Sequence, residues 1–353
     1  GVGDGMECLV DYTSSNIVYI SSQNGNFSRS TNGGASFSGI STGGGAWVSP
    51  MVIDPLVNTT LYFGGQEVKK SVNSGSTWSN LSTNLTGSVN LAALAVAPTN
   101  PNNIYAAKFN AIYVTTNGGA NWTNISTGVP VTSNALTYIA VSSADPKTAW
   151  VTLSGYNSGQ KVYKTTNAGS TWTNISGALP NLPANTIVYD KNSTTDAIYV
   201  GTDLGIYYLD NSFAGVWQSY STGLPNVMIY ELEINPTSSK LIAGTYGRGV
   251  WETPLFTTTT TGIKNAPKPE STISLYPNPT TGVFNLDINS TQGNTHVSVE
   301  IYNLLGEKIY TIADDFAKTK HYQIDLSNKQ DGVYLVNIRT GFESRTERVI
   351  VNR

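Results

Sequence analysis

The sequence predicts an all-β chain, a ring of repeated four-stranded sheets followed by a small β-sandwich. Three observations carry that expectation: a turn motif that recurs as far as Trp217, strand-like runs at fixed places around each copy, and a stretch from Thr272 onward in which the repeat stops. At 353 residues the chain is long enough for two or three domains, and its 39 % hydrophobic content can fill real cores. Only 12 % of the residues are charged and 34 are glycine, a composition of turns and short strands.

The turn motif is first seen as Ser30, Asn32, Gly34 and Phe37. It recurs as Ser71, Asn73, Gly75 and Trp78, as Thr115, Asn117, Gly119 and Trp122, and as Thr165, Asn167, Gly169 and Trp172, with a decayed copy from Asn211 to Trp217. The aromatic anchors step by 41, 44, 50 and 45 residues. Three apolar runs precede each copy, for example 91–97, 103–107 and 111–115, and a short fourth run, 123–126, follows it. Four strands per ~40–45 residues is the period of a propeller blade. Second-strand runs begin near Ile17, Leu61, Ile104, Trp150, Ile198 and Leu241, so six blades are visible. The sixth ends at 250–254 without a fourth run, and the chain opens at Gly1 with neither a starting Met nor an apolar signal core. The expectation is a propeller over 1–256 that is truncated at its N-terminal side, since rings normally close by pairing first and last strands.

The motif resembles the Asp-box, or bacterial neuraminidase repeat, of sialidases, sortilin-type receptors and xyloglucan-hydrolysing double propellers, with Asn in all four good copies where Asp is usual. An Asx side chain can bond nearby backbone N–H groups, Gly takes a positive φ, and the aromatic plugs the space beside the next strand. The role expected of Asn32, Asn73, Asn117 and Asn167 with their glycines and aromatics is therefore structural.

Residues 257–271, with a threonine run and Pro267 and Pro269, read as an interdomain linker. Seven short strand-like runs follow, separated by turn signals at Asn278-Pro279, Thr281-Gly282, Leu305-Gly306 and Asp331-Gly332, which predict a small immunoglobulin-like β-sandwich over 272–353. Three ordered segments in it resemble the C-terminal sorting domain of the type IX secretion system, type A. They are 275–284, with Pro277, Asn278, Pro279 and Gly282; 299–307, with Gly306; and 331–338, with Gly332 and Tyr334. The resemblance implies recognition by the outer-membrane type IX machinery and export to the cell surface or the extracellular space.

Several classes of function are excluded. A formal net charge of −3 gives no footprint for a nucleic-acid partner. Cys8 is the one cysteine, so no internal disulfide or multi-cysteine zinc site can form. Both histidines, His296 and His321, lie in the tail, which denies residues 1–256 a Ser-His-Asp triad or a histidine metal site. No stretch approaches 18 apolar residues, so no transmembrane segment is expected. No cofactor or metal is called for either: Asp190, Asn192, Thr194 and Asp196 alternate like calcium ligands, but Gly201 stands where a bidentate Glu belongs.

A propeller takes ligands on the face built by the loops between second and third strands and between successive blades. Those loops hold Asp4, Glu67 and Asp203 as carboxylates, Lys108, Lys161 and Arg248 as cations, and Trp47, Phe109, Tyr156 and Tyr246 as aromatics able to stack on sugars or peptides. Sialidase chemistry is rejected, because residues 1–256 contain two arginines, Arg29 and Arg248, too few for the cluster that holds a sialic acid carboxylate. The expected function is that of an exported surface protein with a non-catalytic binding or scaffold propeller for glycan or another surface polymer. The alternative is a fragment of a xyloglucanase-like glycoside hydrolase, which needs only two carboxyl groups, about 5 Å or ~6.5–9.5 Å apart.

Overall fold

The computed structural model describes residues 3–85, 87–256, 271–290, 295–316, 318–340 and 343–353. The linker expected at 257–271 lies, except for Ser271, outside the described residues. The chain divides into two compact units, Gly1–Phe256 and Thr257–Arg353.

The first unit consists of six antiparallel sheets, each with its strands in sequence order, five of four strands and a last one of three. They span 8–40, 51–80, 93–124, 136–174, 184–219 and 229–254, and are blades 1 to 6. The first strands of blades 2 to 6 lie beside one another and form the inner edge of the ring. Strand alternation then sends successive side chains to opposite neighbours. In blade 4, Val151 packs with Tyr105 and Ile112 of blade 3, while Trp150 turns the other way against Ile187 and Val200 of blade 5. Similar apolar clusters join blades 1 and 2 through Phe27 and Phe63, blades 2 and 3 through Tyr62 and Ile104, and blades 5 and 6 through Tyr199 and Leu241. Among the described residues no such cluster joins blade 6 to blade 1.

Each repeat turn connects a third strand to a fourth and is closed by side chains. In blade 4 the Asn167 Oδ1 accepts from Thr165 Oγ1 and from the Thr171 N–H, both at 2.9 Å. The Thr165 hydroxyl accepts from Gly169 N at 2.9 Å, and Asn167 Nδ2 donates to Thr171 Oγ1 at 2.8 Å. Blades 1, 2 and 3 repeat the same Oδ1 acceptor geometry. The aromatic that ends the turn ties one blade to the one before it. Trp122, Trp172 and Trp217 donate their indole N–H to the carbonyls of Leu81, Ile125 and Ile175, at 3.2, 2.8 and 2.8 Å.

This geometry yields a prediction about the asparagine. Asn167→Ala is expected to cost about 2 kcal/mol in chemical denaturation, because the Thr171 N–H and the Thr165 hydroxyl lose their acceptor. Asn167→Asp is expected to stay within about 0.5 kcal/mol of the parent, since the acceptor oxygen remains and the Thr171 hydroxyl can rotate to donate. Equal losses in the two variants would contradict the acceptor role.

The second unit packs a three-stranded sheet, Ser271–Tyr276, Val283–Ser290 and Thr319–Asp325, on a four-stranded one ordered Lys308–Phe316, Thr295–Asn303, Gly332–Thr340, Glu343–Val351. Inward residues such as Phe284, Leu286, Val297, Val299, Ile324 and Val336 are fully buried between them.

Candidate functional site

A cavity of about 960 Å³ occupies the centre of the ring. Its walls come from the first strands and the loops that enter them, including Leu9, Val52, Leu94 and Ile139, with Trp47 and Phe109 at the mouth. The inner strands of blades 4, 5 and 6 each carry a bulge at the same level, after Leu136, Ala184 and Ile229. A bulge inserts one residue and re-aims its side chain. The three inserted residues, Thr137, Asn185 and Tyr230, all line the cavity.

Three carboxyls stand in this otherwise largely apolar lining: Glu7 precedes the first strand of blade 1, and Glu231 and Glu233 alternate on the first strand of blade 6. Leu232 between them turns toward blade 5. Tyr138 of blade 4 reaches in and donates its hydroxyl to Glu231 Oε1 at 3.0 Å. No lysine, arginine or histidine is among the lining residues. Burial and the neighbouring Glu233 push Glu7 up to about 7. Burial, Glu7 and Glu233 push Glu231 up to about 8, against the opposing hydrogen bond from Tyr138. Glu233 also rises, from the protein mass around the channel, although its side chain is open to the cavity. At these values Glu7 and Glu231 keep protons at neutral pH, so their carboxyls can donate as well as accept hydrogen bonds.

The residues expected from the sequence to form the site are partly gathered here. Trp47 and Phe109 line the cavity mouth and are 61 % and 58 % exposed. Tyr246 packs edge-on against the cavity residue Tyr230, with ring centroids 5.9 Å apart. Tyr156 donates to Asp203 Oδ2 at 3.4 Å, and Asp203 Oδ1 accepts from the cavity residue Asn185 at 3.0 Å. Arg248 is exposed on the blade 6 hairpin, and its carbonyl accepts from the Trp251 indole. Asp4 takes a 2.7 Å bond from Gln23 Nε2, and Glu67 accepts from the Ser82 hydroxyl. Asp4, Glu67 and Asp203 are not among the cavity-lining residues. Lys161 is buried with its Nζ on the Gly155 carbonyl at 2.6 Å, and burial lowers its pKa. Sequence reasoning did not single out Glu7, Tyr138, Tyr230, Glu231 or Glu233.

In the second unit the Pro277–Thr280 segment lies along the edge of the last strand. Asn278 Oδ1 accepts from the Ile350 N–H at 2.9 Å and its Nδ2 donates to the Arg348 carbonyl at 2.6 Å. Thr280 N–H continues the ladder to the Ile350 carbonyl at 2.8 Å. Tyr334 is buried and donates to the Gln330 carbonyl at 2.7 Å. The family model of the secretion system C-terminal sorting domain matches residues 274–352. These residues are a C-terminal sorting domain. The sorting domain directs the chain through type IX secretion to the cell surface or the extracellular space. Among the described residues no helix is long and apolar enough to cross a membrane.

No curated protein matches the chain. Among solved structures it is similar to the GH74 enzyme of Niastella koreensis, with a TM-score of 0.56 and 16 % identity over 99 % of this chain and 66 % of that one. An ancestral GH74 enzyme gives a TM-score of 0.54 and 17 % identity over 88 % of this chain and 38 % of that one. The extracellular domain of a putative hybrid two-component system from B. thetaiotaomicron gives 0.55 and 14 % identity, over 99 % and 50 %. At these identities the likeness is one of fold. The chain spans less than two thirds of each of these structures.

Proposed function

We propose that the propeller is a non-catalytic binding module for a glycan or similar surface polymer, displayed outside the cell by the sorting domain. The observation that carries this reading is the ring of exposed aromatics, Trp47, Phe109 and the Tyr230–Tyr246 pair, around the mouth of a 960 Å³ cavity. Flat aromatic faces at the rim of a concavity suit stacking against pyranose rings, and Asn185, Asp203 and Tyr156 supply hydrogen-bonding groups beside them. The repeat turns, which resemble Asp-boxes, are structural in this reading. Their side chains are engaged within the turns.

A second reading, a glycoside hydrolase fragment, is favoured by one observation, the carboxyl of Glu231 at about 8 beside that of Glu7. A carboxylic acid that keeps its proton at neutral pH is what a general acid requires. The test is a glycan array on the full chain together with a reducing-end assay on the glycans that bind. Binding without cleavage is the expected result. Cleavage that disappears in Glu231→Gln would replace the binding reading with the hydrolase.

A further inference from the structure

Among the described residues the most exposed large apolar side chain stands at a hairpin tip of the sorting domain. The hairpin joins strands Thr295–Asn303 and Lys308–Phe316, and its tip carries Leu304, 69 % exposed, and Leu305, 93 % exposed. The turn itself is tightly made. Asn303 Oδ1 accepts from the N–H groups of Leu305 and Glu307 at 3.0 and 2.9 Å, Asn303 Nδ2 donates to Glu307 Oε2 at 3.0 Å, and the Gly306 N–H closes on the Asn303 carbonyl at 3.0 Å. Asn303 and Gly306 thus build the turn, and the two positions between them need no particular side chain for folding. Polar residues are the usual occupants of such tips. Two leucines held out to water on a rigid turn contribute nothing to the core of this domain, whose inward aliphatic residues are buried elsewhere.

The flanking surface is charged and tied down. Lys308 pairs with Glu300 and lies over the Tyr302 ring at 5.8 Å, and Tyr302 donates to Glu300 at 3.0 Å. The pair of leucines is therefore an apolar knob beside a tied-down charged cluster, the form of an anchor that enters a pocket. By contrast the Pro277–Thr280 segment spends its hydrogen-bonding groups on the last strand of its own domain.

We propose that the Leu304–Leu305 tip is the recognition knob of the sorting domain, inserted into an apolar pocket of the type IX export machinery. The proposal rests on the sorting-domain match, because a domain that addresses a chain for export must present a surface that the exporter reads. Moving two leucine side chains from water into an apolar pocket is worth about a hundredfold in affinity.

The test is surface display of the full chain in a strain that has type IX secretion, read by antibody labelling of intact cells. Leu304→Ser/Leu305→Ser is expected to lower the displayed fraction about tenfold or more with an unchanged calorimetric transition of the sorting domain. Leu304→Met/Leu305→Met is expected to restore display. Normal display of the serine variant would overturn the proposal, as would a serine variant that melts earlier or a methionine variant that is equally retained, both of which mark a structural role. Deletion of 272–353 serves as the reference arm: if that deletion leaves display unchanged, the sorting reading itself falls.

Discussion

At pH 9 the Glu231→Gln variant is expected to unfold about 5 °C above the parent chain, and at pH 4.5 the two are expected to unfold together. The seven tryptophans all lie between Trp47 and Trp251, so their fluorescence follows the propeller alone. In the folded ring Glu231 is raised from the ordinary 4.5 to about 8 and Glu7 to about 7. A folded-state value above the unfolded one means that the folded state holds its proton longer. The associated stability is fully present below about pH 4.5, is lost as pH rises, and is gone once both groups ionise above about pH 8. Taken alone and dry, such a raise would amount to several kcal/mol. Contact with water in the cavity and proton sharing with Glu7 reduce the expected effect to ~2 kcal/mol. For a unit of this size that is the few degrees stated above. The glutamine keeps the acceptor for the Tyr138 hydroxyl and removes the charge, so the variant's melting profile should flatten between pH 6 and 9. A parent profile that does not fall over that range would show that the three carboxyls do not share one site.

The second large effect concerns the sorting domain. Gly282→Ala is expected to lower its melting temperature by about 15 °C, corresponding to ~3 kcal/mol for a domain of this size. Gly282 sits at φ +130°, and a Cβ there would lie 2.7 Å from Ser327 Cα and 3.1 Å from Ser327 N. Those atoms belong to backbone that cannot easily withdraw, because the neighbouring Leu326 N–H is bonded to the Gly282 carbonyl at 2.7 Å. Gly306→Ala is the control. That residue also has a positive φ, +82°, but no atom lies within 4 Å of its Cβ position, so the backbone term alone remains, ~1 kcal/mol. Calorimetry of the full chain separates the two cases, since the propeller transition seen by tryptophan fluorescence should not move in either. Equal shifts for Gly282→Ala and Gly306→Ala would contradict the close approach of the two segments.

These effects show which parts of the molecule could be read from the sequence and which could not. The blades were legible because each is a local unit. The residues that make a repeat turn, such as Thr165, Asn167, Gly169 and Trp172, lie within a few positions of one another, and the turn recurs often enough to expose its period. The sorting domain was legible because Pro277, Asn278, Gly282, Gly306 and Gly332 mark turns at fixed places in the chain. The aromatic rim was accessible through the loop positions that a propeller assigns to one face.

The group of three carboxyls was not legible, for reasons of distance and of pattern. Glu7 and Glu231 come from the first and last blades, far apart in sequence, yet lie close enough to couple electrostatically, and the Tyr138 hydroxyl arrives from a third blade. In sequence, Glu231-Leu232-Glu233 reads as an ordinary strand with a wet face, since period-two alternation does not say whether that face meets solvent or a channel. The bulges at Thr137, Asn185 and Tyr230 add a one-residue phase shift that the hydrophobic pattern does not announce. The nearest signal was the pair of charged side chains, Glu231 and Glu233, in a strand whose counterparts, Leu136–Val141 and Ala184–Tyr189, carry none.

The central claim is that the aromatic-rimmed mouth of the ring binds a polymer, and titration calorimetry tests it most directly. The full chain and its Trp47→Ala/Phe109→Ala variant are titrated with the glycan that gives the strongest array signal. Both side chains are exposed and outside the apolar clusters that join the blades, so the variant should melt with the parent. The expected result is a loss of affinity of about tenfold or more in the variant, from the removal of two stacking faces. Unchanged affinity in a variant with unchanged melting would contradict the assignment of this face as the binding site.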